Sequence, residues 1–426
     1  MMRGRTALSR GELIAALDVG SSKVCCMIAR VEDPTRLQNG LQGMQIIGIG
    51  YQPARGVNGG TVVDMSAAET AIGHAVEAAE RMAEERITST YVNLTGGDPV
   101  SSRFRAEVPI DKGPVADDHV IDLAHQGPAE PLPDQCETVH LIPSHFGIDG
   151  YNGILDPRGM TGRRLGALVH VVSADSSPMH NLRQVIQRCH LKVERPVVSA
   201  LASGLAVLTP DEMELGVTVI DLGAGATSLA VFLDGAMVYQ AVIPLGCDLV
   251  TNDLARGLST SITEAERLKT LCGSAIPTSI DDRETLDVPL VGDQVHGPQM
   301  NTVPRSALVR IIQPRLRQIL EEVRTSLDLA GTEKLAGGSA VITGGGAETT
   351  GVRELAHTIL NRHCRIGRPP AIPGLSDLAT GPAFATCAGL LRYGIDPSFD
   401  FAMSRSVVRA NSGGLGAVGR WLREHV

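Results

Sequence analysis

The chain has 426 residues, of which 43% are hydrophobic and 20% charged, a balance typical of folded rather than disordered proteins. Its length exceeds what one hydrophobic core usually accommodates, so we expect roughly two to four domains. The formal net charge of −9 argues against nucleic acid as a partner, because phosphate backbones need basic surfaces. The eight cysteines form no C-x-x-C motif, which favours reduced thiols in the cytoplasm. No apolar run is long enough to predict a transmembrane helix.

Two segments of the chain repeat one pattern. The first is "LIAALDVGSSKVCCMIARV" and the second is "GVTVIDLGAGATSLAVFLDG". Each has an apolar strand, then Asp-x-Gly with small residues, then a second apolar strand. The repeat predicts two homologous halves, each opening with a β-hairpin.

The residue types in these two turns suit a phosphate group. Glycines let backbone amides approach phosphate oxygens, hydroxyls donate to them, and Lys23 supplies a cation. Asp18 and Asp221 end their strands, and we expect them to hold Mg²⁺ through water. Each hairpin alone is equally explained as an ordinary glycine turn, and only the matched pair favours phosphate. The candidate residues are Asp18, Gly20, Ser21, Ser22, Lys23, Asp221, Gly223, Ala224, Gly225 and Thr227.

Two further segments carry candidate contacts to the rest of a nucleotide. In "SAVITGGGAETTGVRELA" a strand is followed by Gly344, Gly345 and Gly346, with a helix predicted to start near Glu348. A glycine turn at a strand's carboxyl end lets a sugar or base lie against backbone. In "SITEAERLKTLCG", Glu266 and Lys269 share one helix face. They suit hydrogen bonds to ribose and adenine, or form a solvated ion pair.

Two predicted helices are rich in small residues. "VVSALASGLAVL" covers 197–208 and "GPAFATCAGLLRYG" covers 381–394. Helices of this composition can cross closely and act as a hinge between lobes, although ordinary core packing explains them equally well.

These five elements, in this order, resemble the actin-like ATPase superfamily: phosphate loop, connecting helix, phosphate loop, adenosine loop, connecting helix. The stretch 141–182, with "DPRGMTGRRL" leading into "HVVSA", resembles the FtsA family of bacterial cell-division proteins. The resemblance implies an α/β fold of two lobes, as in actin, heat-shock chaperones and sugar kinases, with an FtsA-type inserted subdomain and a C-terminal amphipathic helix.

The resemblance also implies a division of the chain. It predicts a first-lobe core at 12–85 and 168–208, an inserted subdomain at 86–167, a second-lobe core at 209–245 and 335–394, a smaller subdomain of the second lobe at 246–334, a linker at 395–412 and a membrane-targeting helix at 413–426.

The second phosphate loop departs from the superfamily pattern. It reads "DLGAGATS", so Ala224, Ala226 and Ser228 replace the usual Gly, Thr and Asp. In addition, no Gln or Glu is clearly positioned to orient water ahead of the first connecting helix, since Glu194 is followed by Arg-Pro. We therefore expect ATP and Mg²⁺ to bind with weak or negligible turnover.

The last stretch, "GLGAVGRWLREHV", has a helical apolar face. A short helix of this kind gains partners at a bilayer interface, with Trp at headgroup level and Arg near anionic lipid phosphates. The alternatives are docking on the protein's own surface or fraying. One such tail anchors weakly, so self-association into a polymer is expected to add avidity. The predicted membrane residues are Leu415, Val418, Arg420, Trp421, Leu422, Arg423 and Val426.

The resemblance implies a protein that tethers FtsZ to the cytoplasmic face of the inner membrane at the division site. The FtsZ C-terminal tail would dock on 246–334, where Arg310, Arg315 and Arg317 can receive an acidic peptide or form a solvated basic face. Other division proteins would bind through 86–167. The alternatives are a small-molecule kinase or phosphatase, or a pilus-assembly adaptor, of the same superfamily.

Overall fold

A computed structural model describes residues 8–39, 41–111, 113–127, 135–292, 299–332, 337–375, 379–396 and 400. From its start the chain forms β1 (Leu13–Val19), β2 (Lys23–Val31), β3 (Met44–Pro53), β4 (Val57–Asn58), β5 (Thr61–Val62), α1 (Met65–Ala83) and β6 (Ser89–Leu94). It continues through β7 (Val100–Pro109), α2 (Asp117–Gln126), β8 (Cys136–Ile148), β9 (Tyr151–Ile154), β10 (Arg164–Asp175), α3 (Ser176–Arg188), β11 (Lys192–Val198), α4 (Ser199–Val207) and α5 (Pro210–Leu215).

The second half follows directly. Its first elements are β12 (Val217–Leu222), β13 (Thr227–Leu233), β14 (Ala236–Ile243), α6 (Asp248–Leu258), α7 (Ile262–Cys272), β15 (Thr285–Pro289), β16 (Met300–Pro304) and α8 (Arg305–Leu329). The remaining elements are β17 (Ser339–Thr343), α9 (Val352–Leu360), β18 (His363–Ile366) and α10 (Ala385–Ile395).

Two five-stranded sheets share one topology. Their strand orders are β11-β6-β1-β2-β3 and β14-β13-β12-β17-β18. In each sheet an antiparallel hairpin has a third antiparallel strand on one side and parallel strands on the other. This confirms the predicted pair of homologous halves, each opening with a hairpin.

Helix α1 lies unusually close to the first sheet. Its start is capped by Asp64, whose carboxylate accepts hydrogen bonds from the amides of Ser66 and Ala67. On the facing strand β3, a Cβ at Gly48 or Gly50 would overlap backbone carbonyls of α1. The absence of these two side chains is what allows the helix to cover the sheet.

The inserted subdomain differs in its boundaries from the prediction of 86–167. Its sheet has the order β7-β10-β8-β9, so it runs from Val100 to Asp175. Strand β6 pairs instead with β1 in the first-lobe sheet, although the sequence assigned it to the insert. The error arose because a short apolar strand carries no signal of which sheet it joins.

The inserted subdomain docks on strand β14 of the second lobe. Ser101 Oγ donates to the carbonyl of Gln240 at 2.9 Å and accepts its amide at 2.9 Å. The buried ring of His170 lies 3.0 Å from the carbonyl oxygen of Met237, and burial lowers the pKa of His170 to about 3. A neutral imidazole therefore lies in this interface at physiological pH, and the insert contacts both lobes.

The two small-residue helices are α4 and α10, and they cross closely. A Cβ at Gly389 in α10 would overlap the carbonyl oxygen of Ala202 in α4. Gly204 has a different role, since a Cβ there would lie 2.7 Å from the ring of Phe232 in the second-lobe sheet. The crossing confirms the predicted close approach of the two helices.

None of the helices within the described ranges combines the length and the hydropathy needed to span a bilayer.

Gly389→Ala tests the crossing. We expect it to lower the free energy of unfolding by about 1–3 kcal/mol, because a methyl group would force α4 and α10 apart. Gly73→Ala in α1 is the matched control, since a Cβ there has nothing within 4 Å and replaces a flexible helical glycine. The control should gain about 0.5–1 kcal/mol in urea denaturation. Equal unfolding midpoints for the two variants would contradict the close crossing.

Candidate functional site

A cavity of about 310 Å³ lies between the two lobes, where both hairpin turns meet. All the predicted nucleotide-binding residues except Thr227 line it. These are Asp18, Gly20, Ser21, Ser22, Lys23, Asp221, Gly223, Ala224, Gly225, Glu266, Lys269, Gly344, Gly345, Gly346 and Glu348. The fold therefore brings together residues from four separate segments of the sequence.

The two turns approach each other across the cavity. In the first, the amide of Gly20 donates to the carbonyl of Lys23 at 3.0 Å. In the second, a Cβ at Gly223 would lie 2.6 Å from the carbonyl oxygen of Ala226. A Cβ at Gly225 would overlap the hydroxyl of Ser21 in the opposite turn. Gly225 is thus required by the approach of the two turns to each other, and Gly223 by the tightness of its own turn.

Asp18 and Asp221 differ in how their carboxylates are held. Asp18 is enclosed by the hairpins and reaches solvent only through the cleft, and this burial raises its pKa to about 7. Burial also raises the pKa of Asp221, although two hydroxyl hydrogen bonds oppose the shift. Those bonds come from Ser203 in α4 and from Thr386 in α10, the latter at 3.0 Å, and both reach Oδ2. Asp221 thus links the second hairpin to both connecting helices.

Lys23 is held at the cavity wall by two contacts from the start of the second connecting helix. Its Nζ donates to the carbonyl oxygen of Ala383 at 2.8 Å. The same nitrogen lies 3.4 Å from the centroid of the Phe384 ring, a cation–π contact. The cation is therefore positioned before any ligand arrives.

Thr227 does not face the cavity, and its predicted role as a phosphate donor is wrong. Its hydroxyl is buried and donates to the carbonyl oxygen of Leu245 at 2.8 Å. The next residue, Ser228, lines the cavity instead. Successive side chains of a strand point to opposite faces, so a shift of one residue exchanges them.

The glycine loop leads into a short 3₁₀ turn rather than directly into the predicted helix. Gly345–Glu348 forms a 3₁₀ turn, and the helix α9 begins at Val352 rather than near Glu348. Gly344 has φ of 82°, a left-handed conformation that favours glycine, and a Cβ there would overlap the carboxylate of Asp221. The loop therefore packs directly against the second phosphate hairpin.

Glu266 and Lys269 form an ion pair, with Nζ of Lys269 2.6 Å from Oε2 of Glu266. An ion pair was one of the two interpretations of these residues, the other being contacts to ribose and adenine. Lys269 also donates to the hydroxyl of Thr251 at 2.9 Å, and that hydroxyl bonds to Glu266 at 2.6 Å. Both charged residues nevertheless line the cavity. The pair is a pre-positioned group at the wall of the cleft.

Three polar residues of the first lobe were missed in the sequence. Asn93 accepts the amide of Val19 at 2.7 Å and donates to Ser199 at 3.3 Å, and Thr95 lies 2.6 Å from the same Ser199 hydroxyl. All three line the cavity, whereas Glu194 pairs with Lys192 and does not. Recognising β6 as the parallel neighbour of β1 would have located them, because ligands lie at the carboxyl ends of parallel strands.

The three predicted FtsZ-contacting arginines lie on α8 but not on one face. Arg310 and Arg317 are seven residues apart and so share a face. Arg315 is turned toward α6, where its Nε donates to Asp253 at 2.6 Å. The expectation that the three act as one patch is therefore corrected to a pair.

The predicted membrane residues Leu415, Val418, Arg420, Trp421, Leu422, Arg423 and Val426 lie outside the described residues. Of the predicted linker 395–412, the structure describes only residues 395, 396 and 400. Within it, Asp400 is fully buried and paired with His140 at 2.6 Å. At this residue the predicted linker is anchored to the inserted subdomain, which a polar sequence does not reveal.

Sequence comparison decides the family. The family model described as Cell division protein FtsA matches residues 218–389, and the one described as SHS2 domain inserted in FTSA matches residues 96–173. The chain is 39% identical over 422 residues to the cell division protein FtsA of Rhizobium meliloti (strain 1021), with 97% of this chain and 95% of the relative aligned. This chain belongs to the FtsA family of cell-division proteins. The FtsA of Escherichia coli (strain K12) is 32% identical over 390 residues, 90% of each chain.

Solved structures of other proteins identify the fold. The structure titled PilM-PilN type IV pilus biogenesis complex aligns with 90% of this FtsA-family chain and 99% of its own, with a TM-score of 0.62 and 17% identity. MreB 5 of Spiroplasma citri bound to AMPPNP aligns over 95% and 100%, with a TM-score of 0.54 and 13% identity. At such identities the likeness shows the fold alone. The predicted actin-like architecture is confirmed, and the inserted-domain match agrees with the sheet β7–β10.

Asp18 makes the stability of the ligand-free protein depend on pH. Its pKa is about 7 in the folded state and roughly 3.9 when unfolded, so the folded state keeps a proton that the unfolded chain releases. The contribution of Asp18 to the free energy of unfolding is therefore fully present at low pH, and ionisation of its carboxyl group removes it as pH rises through 7. Relative to Asp18→Asn, the wild type should lose up to about 1.4 kcal/mol per pH unit between pH 4 and 7.

Urea unfolding at pH 5, 6, 7 and 8 without Mg²⁺ measures this difference. Asp282→Asn, at an exposed carboxylate of the second lobe, is the control and should follow the wild-type pH profile. Parallel profiles for the wild type and Asp18→Asn would show that the Asp18 pKa is not raised.

Proposed function

We propose that this FtsA-family protein binds ATP and Mg²⁺ between its lobes, self-associates, and tethers FtsZ filaments to the inner face of the cytoplasmic membrane during septum assembly. The observation that carries the nucleotide site is the cavity onto which both glycine turns open. Two homologous turns present backbone amides from opposite sides, which is an arrangement suited to a chain of phosphates. An MreB relative in fold has been solved bound to AMPPNP, which supports the same use of the cleft here.

The residues of the cavity fit this ligand in four places. The turns at 20–23 and 223–225 would bind phosphates, and the glycine loop 344–346 would lie beside the sugar or base. Glu266 and Lys269 would receive ribose and adenine. Mg²⁺ neutralises phosphate charge when bound, and Asp18 and Asp221 would hold it through water. Oδ2 of Asp221 already accepts two hydroxyl bonds, so Oδ1 is the oxygen left for a hydrated cation.

Slow hydrolysis follows from the polar groups near the phosphate side of the cleft. Asn93, Thr95 and Ser199 are neutral, so they can orient a water molecule but do not accept its proton. Glu194, the carboxylate considered for orienting water, pairs with Lys192 and does not line the cavity. Binding without fast turnover suits a protein that works as a scaffold.

Gly225→Val tests the nucleotide site. The new side chain would overlap Ser21 and separate the two turns, so we expect at least tenfold weaker binding of Mg·ATP by calorimetry. Gly338→Ala is the control, because a Cβ there has nothing within 4 Å. Wild-type turnover should stay well below about one per second. Wild type that binds no nucleotide would refute the site, and turnover near one per second would refute slow hydrolysis.

Membrane attachment rests on the tail 413–426. About four apolar side chains, each contributing on the order of 1.5–3 kcal/mol before ordering costs, give a reversible anchor. Arg420 and Arg423 add about 1 kcal/mol each on an anionic leaflet. Several tails aligned by a polymer would convert this weak affinity into stable attachment.

Deletion of 413–426 should abolish co-sedimentation with vesicles that contain anionic lipid. The paired change Arg420→Glu and Arg423→Glu should weaken binding to anionic vesicles while leaving the apolar face intact. The truncated protein should still bind Mg·ATP, which serves as the folding control. If it still sediments with vesicles, the anchor lies elsewhere in the chain.

The proposed FtsZ site is the exposed face of α8 that carries Arg310 and Arg317. Arg317 is about half exposed and only loosely paired with Glu321, at 4.0 Å. Arg310 contacts only its own helix, at Ser306. Both cations are therefore available to an acidic peptide, whereas Arg315 is engaged by Asp253 and serves to position α8.

The double change Arg310→Glu and Arg317→Glu should weaken binding of the FtsZ C-terminal tail peptide at least tenfold and reduce its salt dependence. Arg81→Glu with Arg86→Glu alters the net charge equally on the first lobe and should leave the affinity unchanged. Fluorescence anisotropy at two salt concentrations measures both. Equal losses in the two double variants would indicate a long-range charge effect rather than a site.

Other division proteins are proposed to bind the inserted subdomain. Its β9 edge and following loop expose large apolar side chains, with Tyr151 80% and Met160 43% exposed. Exposed apolar groups of this size are characteristic of protein interaction surfaces.

A further inference from the structure

A second cavity, of about 500 Å³, shares no lining residue with the nucleotide cleft. We call it the rear groove. Strand β8, helix α4 and the second-lobe sheet each contribute apolar side chains to it. They include Ile142, Phe146, Leu201, Leu205, Phe232 and Met237. Most of these side chains are themselves buried, whereas Leu155, which also lines the cavity, is 74% exposed and presents an apolar group to solvent. No element among the described ranges covers this side chain.

The rim of the rear groove is predominantly acidic. Asp156, Glu214, Asp234 and Asp396 contribute four carboxylates, against the two guanidinium groups of Arg158 and Arg392. Arg158 is paired with Asp156 at 2.7 Å and with Asp117, and Asp234 lies 2.7 Å from Nε2 of His145. Asp156 and Asp234 therefore already have partners, but the four carboxylates still outnumber the two guanidinium groups. The rim therefore favours a ligand that is apolar on one side and cationic on its flanks.

The last residues that the structure describes lie close to this groove. Asp396 lines it, and the carboxylate of Asp400 is buried in a hydrogen-bond network. Asp400 accepts hydrogen bonds from Tyr393 Oη at 2.6 Å and from the amide of Leu141 at 3.0 Å. Leu141 directly precedes Ile142 of the groove wall.

His140 completes this network and joins Asp400 to the first connecting helix. Its Nε2 accepts the amide of Val198 at 3.0 Å, so the ring proton is on Nδ1, which donates to Asp400 at 2.6 Å. Asp400 is thus held by direct contacts from β8 and α10. The sequence that follows Asp400 therefore starts next to β8, a strand that also lines the groove.

The sequence after Asp400 has the length, the positive charge and the apolar face that are needed to bind the rear groove. Residues 401–412 can span up to about 40 Å when extended, which is enough to return to any part of the groove. Residues 401–426 carry the arginines 405, 409, 420 and 423 against one glutamate, and 413–426 has the apolar face that includes Leu415 and Trp421.

We propose that the segment 413–426 docks in the rear groove of the same molecule, with Trp421 in the apolar cavity and the arginines against the acidic rim. Docking and membrane insertion use the same apolar face, so they exclude each other. The docked state conceals the anchor until a membrane competes for it. The docking itself requires neither lipid nor nucleotide and does not rest on the function proposed above.

Trp421 is the only tryptophan of the chain, so its fluorescence reports directly on the tail in the full-length protein. In buffer without lipid, we expect acrylamide to quench it at least threefold less efficiently than in a peptide of residues 401–426. Leu155→Glu places a charge in the groove wall and should raise quenching to the peptide value. Leu271→Glu, at a leucine that is 68% exposed on α7, is the matched control and should leave quenching unchanged.

Glu214→Arg is the second probe, since it reverses a rim charge at an exposed position where a folding defect is not expected. It should release Trp421, whereas Glu322→Arg on α8 should not. Quenching in the wild type should be the same from 0.1 to 10 µM protein (roughly the range in which weak association changes). Protection that grows with concentration would overturn the proposal in favour of a second copy of the chain.

Lipid vesicles compete with the rear groove for the apolar face of the tail, which gives a third test. If the tail is docked nine-tenths of the time, its apparent affinity for anionic vesicles is about tenfold reduced, so Leu155→Glu should bind at about tenfold lower lipid concentration. A wild-type Trp421 as accessible as the peptide, or identical behaviour of Leu155→Glu and Leu271→Glu, would refute docking. Protected Trp421 in a protein that never binds vesicles would keep docking and refute the membrane function instead.

Discussion

The carboxylate of Asp221 is the interaction on which the arrangement of the cleft depends. It ends the first strand of the second hairpin, and its Oδ2 accepts hydroxyl hydrogen bonds from Ser203 in α4 and Thr386 in α10. Hydrogen bonds to a charged group contribute about 1.5–3 kcal/mol each, more than neutral ones. They act where Gly389 allows α4 and α10 to touch. A residue that lines the cleft is therefore bonded to both helices of this crossing.

The inserted subdomain adds a second constraint on the lobes. It grows out of the first lobe, yet Ser101 and the neutral His170 bond to strand β14 of the second. The same subdomain receives the end of α10 through His140 and Asp400. The cleft, the two crossing helices, the insert and Asp400 are therefore joined by direct contacts. In this member of the FtsA family, hydrogen bonds thus extend from the cleft to the inserted subdomain.

Much of the site was predictable because its chemistry is local in sequence. Asp18 and Asp221, the glycine turns and the loop 344–346 each lie in a short motif whose residue types match the role. The errors came from choices that local pattern does not decide. Thr227 and Ser228 are consecutive residues of β13, and only the register of that strand decides which of the two side chains faces the cleft. Asn93 and Thr95 were missed because β6 was assigned to the wrong sheet, whereas Ser199 follows β11, the parallel neighbour of β6.

The sequence by itself determined the duplicated hairpins, the membership of the family and the amphipathic character of the last fourteen residues. Each of these can be recognised in short stretches of contiguous residues. Tertiary structure alone decided which hydroxyls face the cleft, that Arg315 is occupied by Asp253, and that Asp400 is buried against His140. It also decided that the rear groove exists and that Asp396 lines it. Contacts between residues 260 apart depend on how sheets and helices pack, and a one-dimensional pattern carries no record of that packing.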